Sequence, residues 1–520
     1  MKAAWCAVMM FAIGSAAWAT RPDGDDEKRG EKNSDGEKSQ VEALRAELNT
    51  QRAELDAQRA QIEALKAQKS PTSGLSLEGT GEILQDKKGD EFDLKASFLK
   101  DGLFHLKAGD DFDLHVGGRV LEEYRYIADR PNGPGPALLG TTAGGVPNVA
   151  RAPADSFYLR ELFISIDATL WHDWGAKFNG DFATDQVARL EEGYFFWQHF
   201  KELRIQFGQY KVPQSYEYMG SPRFLEEIQR TAMSRLNPGI ELGIMAMGDV
   251  WDNRFHYWVG LSNGRGHLNN NGRSVFDDND NKEFQAKLAI TPWAPDKDSP
   301  LRKFRIGGYY NKGIEGMGQP GSAAPAGGIN LGNVNTNEFN ETWVTMPGGN
   351  ITIGEQTRYG AELMYAIGPF GLRAEYQGRS DRFQNAAGTI DEKLPWKAYY
   401  ASVYWFVTGE EKVISARPNV LHNFDFEGGW GALELFVRWS VTSYDWDKFK
   451  TIGGSAAAGA NTNRLSALTA GVNWWTTKNT RISVDYVAEL FNDPLQFENT
   501  GGGKDRMSMA GILARFQIDF

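Results

Sequence analysis

From residue 91 to the C-terminus, apolar and polar positions alternate with a period of two. At the end of the chain Ala510, Ile512, Ala514, Phe516, Ile518 and Phe520 share one face, while Arg515, Gln517 and Asp519 share the other. Phe178, Gly180 and Phe182 alternate in the same way with Lys177, Asn179 and Asp181. Ile482, Val484 and Tyr486 alternate with Arg481, Ser483 and Asp485. This is the period of a β-strand with one apolar side. Strands are predicted near 112–127, 156–170, 174–185, 190–198, 203–211, 240–248, 253–262, 284–292, 303–311, 356–367, 371–380, 396–407, 431–442, 464–475, 480–490 and 507–520. The sixteen segments make the even number that a closed antiparallel bacterial barrel requires, and a terminal aromatic residue suits its closing strand. Long links at 128–155, 212–239, 263–283, 312–355 and 443–463 alternate with tight turns such as Trp171-His172-Asp173 and Gly368-Pro369-Phe370. The link 408–430 is the exception, long on the short side.

Before residue 91 the period changes. With Val41 at heptad position a, Leu48, Leu55 and Ile62 follow at a, and Leu44, Gln51, Gln58 and Leu65 fall at d. Arginines at e face glutamates at g of a neighbour, which predicts a parallel coiled coil over 41–68, about 42 Å long. Charged linkers flank it at 20–40 and 69–90. Residues 1–19 read as a signal peptide: Lys2, an apolar run, then Ala17-Trp18-Ala19 as the cleavage site. The expected product is all-β over 91–520, a 16-stranded antiparallel transmembrane β-barrel with an N-terminal periplasmic α-helical coiled coil. Its expected place is the bacterial outer membrane, with cleavage after Ala19.

The link 212–239, the third on the long-loop side and so the third loop, is the candidate constriction. Ser221-Pro222 opens it, RFLEEIQRTAMSRL follows and Asn237-Pro238-Gly239 ends it, a pattern that predicts a helix folded into the lumen. Rings of Arg or Lys pass anions, whereas rings of Asp or Glu pass cations. The expected anion-contacting residues here are Lys211, Arg223, Arg230 and Arg235, facing Arg119 and Arg204. Lys177, Arg305, Arg358, Arg373 and Arg438 also fall on faces assigned to the lumen. The alternative is that Glu226 and Glu227 pair with the loop arginines and leave a neutral pore.

Composition narrows the classes. Mean hydropathy is −0.48, and no apolar run of 18 residues follows the first twenty positions, which excludes helical membrane spans. Glycine supplies 58 of 520 residues, in keeping with many turns. A net charge of −12 argues against nucleic acid as a partner. The one cysteine, Cys6, lies in the signal peptide, so disulfides and cysteine-ligated zinc are excluded from the exported chain. Gly260-Leu261-Ser262-Asn263-Gly264 matches a nucleophile pattern but lacks the helix that must follow. The seven histidines show no H-E-x-x-H spacing, and Asp277, Asp278 and Asp280 lack the calcium-loop glycine and glutamate. No catalytic residue, cofactor or metal is expected.

Several stretches taken in order resemble the phosphate- and polyphosphate-selective porins. They are Phe207-Gly-Gln-Tyr-Lys-Val-Pro213, Asn279-Asp-Asn-Lys282, Tyr359-Gly-Ala-Glu362, Gly368-Pro-Phe370, Thr408-Gly-Glu410, Gly431 to Ser440, and Gly471-Val-Asn-Trp474. The resemblance implies a trimeric porin in outer-membrane lipid, with an inward third loop and basic lumen residues that select small anions. It also names phosphate or polyphosphate as solutes. The coiled coil suggests peptidoglycan or periplasmic proteins as further partners. A weakly selective general porin, or a barrel that tethers the outer membrane, are the alternatives.

Overall fold

The computed structural model describes residues 94–98, 104–109, 111–128, 138–141, 147–149, 155–183, 189–264, 280–314, 333–347, 351–385, 389–455, 461–495 and 506–520. The signal peptide, both linkers and the coiled coil expected before residue 91 lie outside them. Sixteen strands build the barrel: β1 Phe112–Ile127, β2 Ser156–Leu170, β3 Trp174–Asp181, β4 Arg189–Phe200, β5 Leu203–Lys211, β6 Ile240–Val250, β7 Phe255–Ser262 and β8 Glu283–Ile290, then β9 Arg305–Ile314, β10 Ile351–Ile367, β11 Phe370–Asn385, β12 Asp391–Phe406, β13 Ala432–Tyr444, β14 Arg464–Thr477, β15 Thr480–Leu495 and β16 Arg506–Asp519. Each predicted segment matches one of them.

Every strand pairs antiparallel with the next, and the ring closes where β16 pairs with β1, from Gly511 opposite Ile127 to Asp519 opposite Arg119. Gly118 and Phe520 complete the seam by exchanging backbone hydrogen bonds of 2.8 and 3.0 Å. Two short strands, Leu94–Phe98 and Phe104–Ala108, extend the sheet along the first residues of β1.

The barrel is polar inside and apolar outside. Along β11, Arg373, Glu375, Gln377, Arg379 and Asp381 are all buried, and along β12 Tyr399, Val403 and Trp405 are exposed. Exposed apolar strand faces need a hydrocarbon solvent, because leaving them in water would cost roughly 25 cal/mol per Å². Trp171, Trp174, Phe200, Trp251, Trp293, Phe370 and Trp405 are exposed at the short-turn end, where aromatic rings mark a membrane interface.

Two links depart from expectation. The third loop has no continuous helix: one turn, α1 Tyr216–Met219, is capped by Ser215, and a 3₁₀ turn spans Ala232–Leu236. Ser221 and Pro222 open only a single turn, in which Ser221 O accepts from the Phe224 and Leu225 amides at 2.9 and 3.3 Å; beyond it the backbone is bonded to the barrel wall. The link 312–355, expected only as one of the long links, carries Val334, Phe339, Trp343, Val344 and Met346 into an apolar cluster with Ile228, Met233 and Leu236 of the third loop. Trp396, Tyr444, Leu465 and Phe491 of the wall complete that cluster. The long link on the short side also turns inward, since Lys412 and Ile414 are buried.

Candidate functional site

The third loop holds its acids against one wall. Glu226 accepts from Arg373 at 3.0 Å, from Lys412 at 2.7 Å and from the Ser415 amide at 2.7 Å. Glu227 accepts from Arg373 at 2.6 Å, Ser402 at 2.8 Å and Tyr404 at 3.0 Å. Glu217 accepts from the Thr231 amide at 2.9 Å and from Arg438 at 3.3 Å. Burial alone would raise the Glu227 carboxyl, but the facing Arg373 and Arg438 and the Ser402 hydroxyl hold it down at about 2.

The loop backbone is tied to the same wall. Arg481 donates to Leu225 O at 2.8 Å, Arg515 to Pro222 O at 3.1 Å, Arg438 to Gln229 O at 2.9 Å and Asn473 to Glu226 O at 2.9 Å. Asp485 accepts from the Ile228 amide at 2.8 Å. These bonds replace the i to i−4 ladder, which is why the sequence pattern for a helix fails here.

On the other side the loop faces an open cavity of about 710 Å³. Arg125, Arg160, Arg189, Arg230, Arg235 and Arg515 line it with Tyr158, Tyr218, Gln229, Ser234, Asn237 and Asn337, and no Asp or Glu is among its lining residues. Arg515 is committed to Glu123, Arg189 lies 3.0 Å from Glu191, and Arg160 reaches Glu161 only at 3.9 Å. Arg125 donates to Phe339 O at 3.1 Å, Arg230 to Glu217 O at 3.1 Å and Gly220 O at 2.8 Å, and Arg235 to Thr336 O at 3.5 Å. Among the described residues none of these three has a carboxylate within ion-pairing distance. These three therefore carry no direct ion pair, in a chamber whose lining otherwise combines amides and hydroxyls with Pro222, Leu225 and Ile228.

The expected residues divide accordingly. Arg230 and Arg235 line the cavity. Arg358, Arg373 and Arg438 do not present free charge to the lumen: they are at most 2% exposed, and Arg358 is closed on Glu283 at 2.7 Å. Arg119 is bound to Glu161 at 2.6 Å beneath the Phe163 ring, and Lys177 to Asp167 at 2.7 Å. Arg305 lies 3.4 Å from Glu362. Arg204 stacks on Phe196 at 3.5 Å and Arg223 on Phe224 at 4.4 Å, and half-buried Lys211 ends β5. The alternative pairing also fails, since Glu226 and Glu227 turn to the wall and not to Arg223, Arg230 or Arg235.

Arg125, Arg160 and Arg189 were missed. Strict alternation cannot place neighbours Arg160 and Glu161 on one side. A β-bulge does, because the β1–β2 register jumps from Leu121 opposite Glu161 to Glu122 opposite Leu159 and leaves Arg160 unpaired in the ladder. The nucleophile pattern resolves as a hairpin end, with Ser262 closing β7 and accepting a hydrogen bond from Gln285 at 2.6 Å.

Comparison with known proteins bears on this architecture. Residues 143–520 match the family described as phosphate-selective porin O and P. Porin O of Pseudomonas aeruginosa is 22% identical over 448 residues, covering 81% of this chain and 91% of that protein. The outer membrane channel DcaP of Acinetobacter baumannii superposes with a TM-score of 0.45 at 12% identity, covering 80% of this chain and 99% of that one. An anion-selective porin from Comamonas acidovorans gives 0.43 at 11% identity, covering 79% and 100%. With the family matched across most of the chain, and with a closed sixteen-stranded barrel that is apolar outside and polar within, the protein belongs to the phosphate-selective porin O and P family of outer-membrane porins.

Proposed function

We propose that this porin is a passive diffusion channel for small anions, and that solutes pass through the arginine-lined cavity beside the third loop. One observation carries the reading: among the described residues six arginines and no acid line the cavity, and three of those arginines have no carboxylate within ion-pairing distance. The loop works as a charge sorter. Its glutamates are spent on Arg373, Lys412 and Arg438, so the basic side of the loop is left facing water. A small anion entering this space exchanges part of its hydration for guanidinium and amide donors, and a cation meets uncompensated positive charge. Planar, forked guanidiniums also suit the oxygens of phosphate, which makes phosphate a natural competitor for chloride here.

The contact set narrows to Arg125, Arg160, Arg189, Arg230 and Arg235, and Arg358, Arg373 and Arg438 serve as loop anchors. The working unit is a homotrimer, and the coiled coil over 41–68 lies in the periplasm. Zero-current potential across a KCl gradient tests the channel. The wild type should favour chloride, and Arg160→Glu with Arg235→Glu should move the potential toward the cation-selective limit. Both side chains have weak tethers, so the loop keeps its anchors in this variant. An unchanged potential would place the selectivity elsewhere. Phosphate added to the chloride bath should reduce conductance in the wild type more than in the variant.

A further inference from the structure

At the short-turn end of the barrel, away from the arginine cavity, the strand Phe104–Ala108 runs antiparallel to the start of β1. His105 stands directly opposite His115, and Asp113 precedes His115 by two residues on the same face. The imidazoles stack with centroids 3.8 Å apart and planes 15° from parallel. His105 Nε2 and His115 Nε2 each lie 2.9 Å from the same carboxylate oxygen, Asp113 Oδ1. The side chains are 23%, 43% and 28% exposed for His105, His115 and Asp113, so a dissolved ion can reach them. Neighbouring charges do not compete: Asp167, opposite His115, is taken by Lys177 at 2.7 Å. Lys107, opposite Asp113, is exposed and forms no ion pair with it.

We propose that His105, Asp113 and His115 form a site for a divalent transition metal of the Zn²⁺ type. Two neutral imidazoles and one carboxylate are a common donor set for such an ion, and three protein ligands leave a fourth position for water. Metal bonds of about 2.0–2.2 Å set tetrahedral ligand atoms roughly 3.4 Å apart. The three donors already lie within 4.8 Å of one another, so small rotations open the cluster to that size. The ligands cannot be read along the chain, because eight positions separate His105 from Asp113 and only the hairpin brings them together.

The full chain, purified in detergent without a polyhistidine tag, is titrated with Co²⁺ and then with Zn²⁺. One Co²⁺ per chain should bind with visible d–d absorption, and Zn²⁺ should displace it. His105→Ala with His115→Ala should weaken binding by more than about 10-fold, and Asp113→Asn should weaken it as well. The single change His105→Gln, in the added hairpin, serves where the double variant assembles poorly. Heat-dependent gel mobility confirms the fold of each variant. Absence of stoichiometric Co²⁺ or Zn²⁺ binding by the wild type, or undiminished binding by folded histidine variants, overturns the site.

Discussion

Charge neutralisation at single residues decides what the lumen presents to a solute. Arg373 is fully buried and divides its guanidinium between Glu226 and Glu227. Removing one partner of such a group leaves a desolvated charge, at a cost of about 3–5 kcal/mol. Glu227→Ala should therefore loosen the third loop, seen as faster proteolysis within 212–239 and noisier single-channel current. Current and proteolysis like the wild type would show that Glu227 is not an anchor. The anchor also has a pH signature. Glu227 is held at about 2 from an ordinary 4.5, so its stabilisation is complete above about 4.5 and fades as pH falls toward about 2. Current noise should stay constant from neutral pH down to that window and rise within it.

Elements are defined by their neighbours as much as by their own sequence. The strands were legible because each needs only its own alternation to show an apolar and a polar side. The third loop was not: Arg223 to Arg230 contain good helix formers, yet Arg481, Arg515, Arg438 and Asn473 capture its carbonyls. The closing seam is the most restrictive element contact. A Cβ on Gly118 would lie 2.4 Å from Phe163 O and 2.7 Å from the Phe520 ring. Gly118→Val should thus hinder the β1–β16 closure, and deletion of Phe520 should do the same by removing its backbone bonds to Gly118. Both should reduce the folded band on unboiled gels, and full recovery of that band would show that the seam tolerates the change.

At the scale of the whole molecule, a closed ladder leaves no strand edge for detergent to invade. Unboiled protein should migrate differently from boiled protein in SDS, and cross-linking should capture a homotrimer. Identical mobility would contradict a closed barrel, and monomers alone would contradict the trimer. Removal of residues 20–69 should leave conductance and selectivity unaltered, because the arginine cavity is built entirely from residues 125–515. The net charge of −12 has little bearing on the potential of this pore: exposed charges are screened beyond about 8 Å at physiological ionic strength, and a solute in the cavity meets the arginines first.

Local alternation determined the class of fold, the number of strands and, through the lengths of the links between them, the short and long ends. It determined these because a strand's two faces are specified by adjacent residues. It also assigned basic residues to the lumen, but not which of them stay free. That was decided by the tertiary structure, in which Arg373 meets Glu226 across 147 positions and Arg515 meets Glu123 across 392. A bulge at Arg160 and an inward loop carrying Phe339 and Trp343 added what no period predicts. Coulomb energy depends on distance in space, and a closed barrel brings together charges that the chain holds far apart.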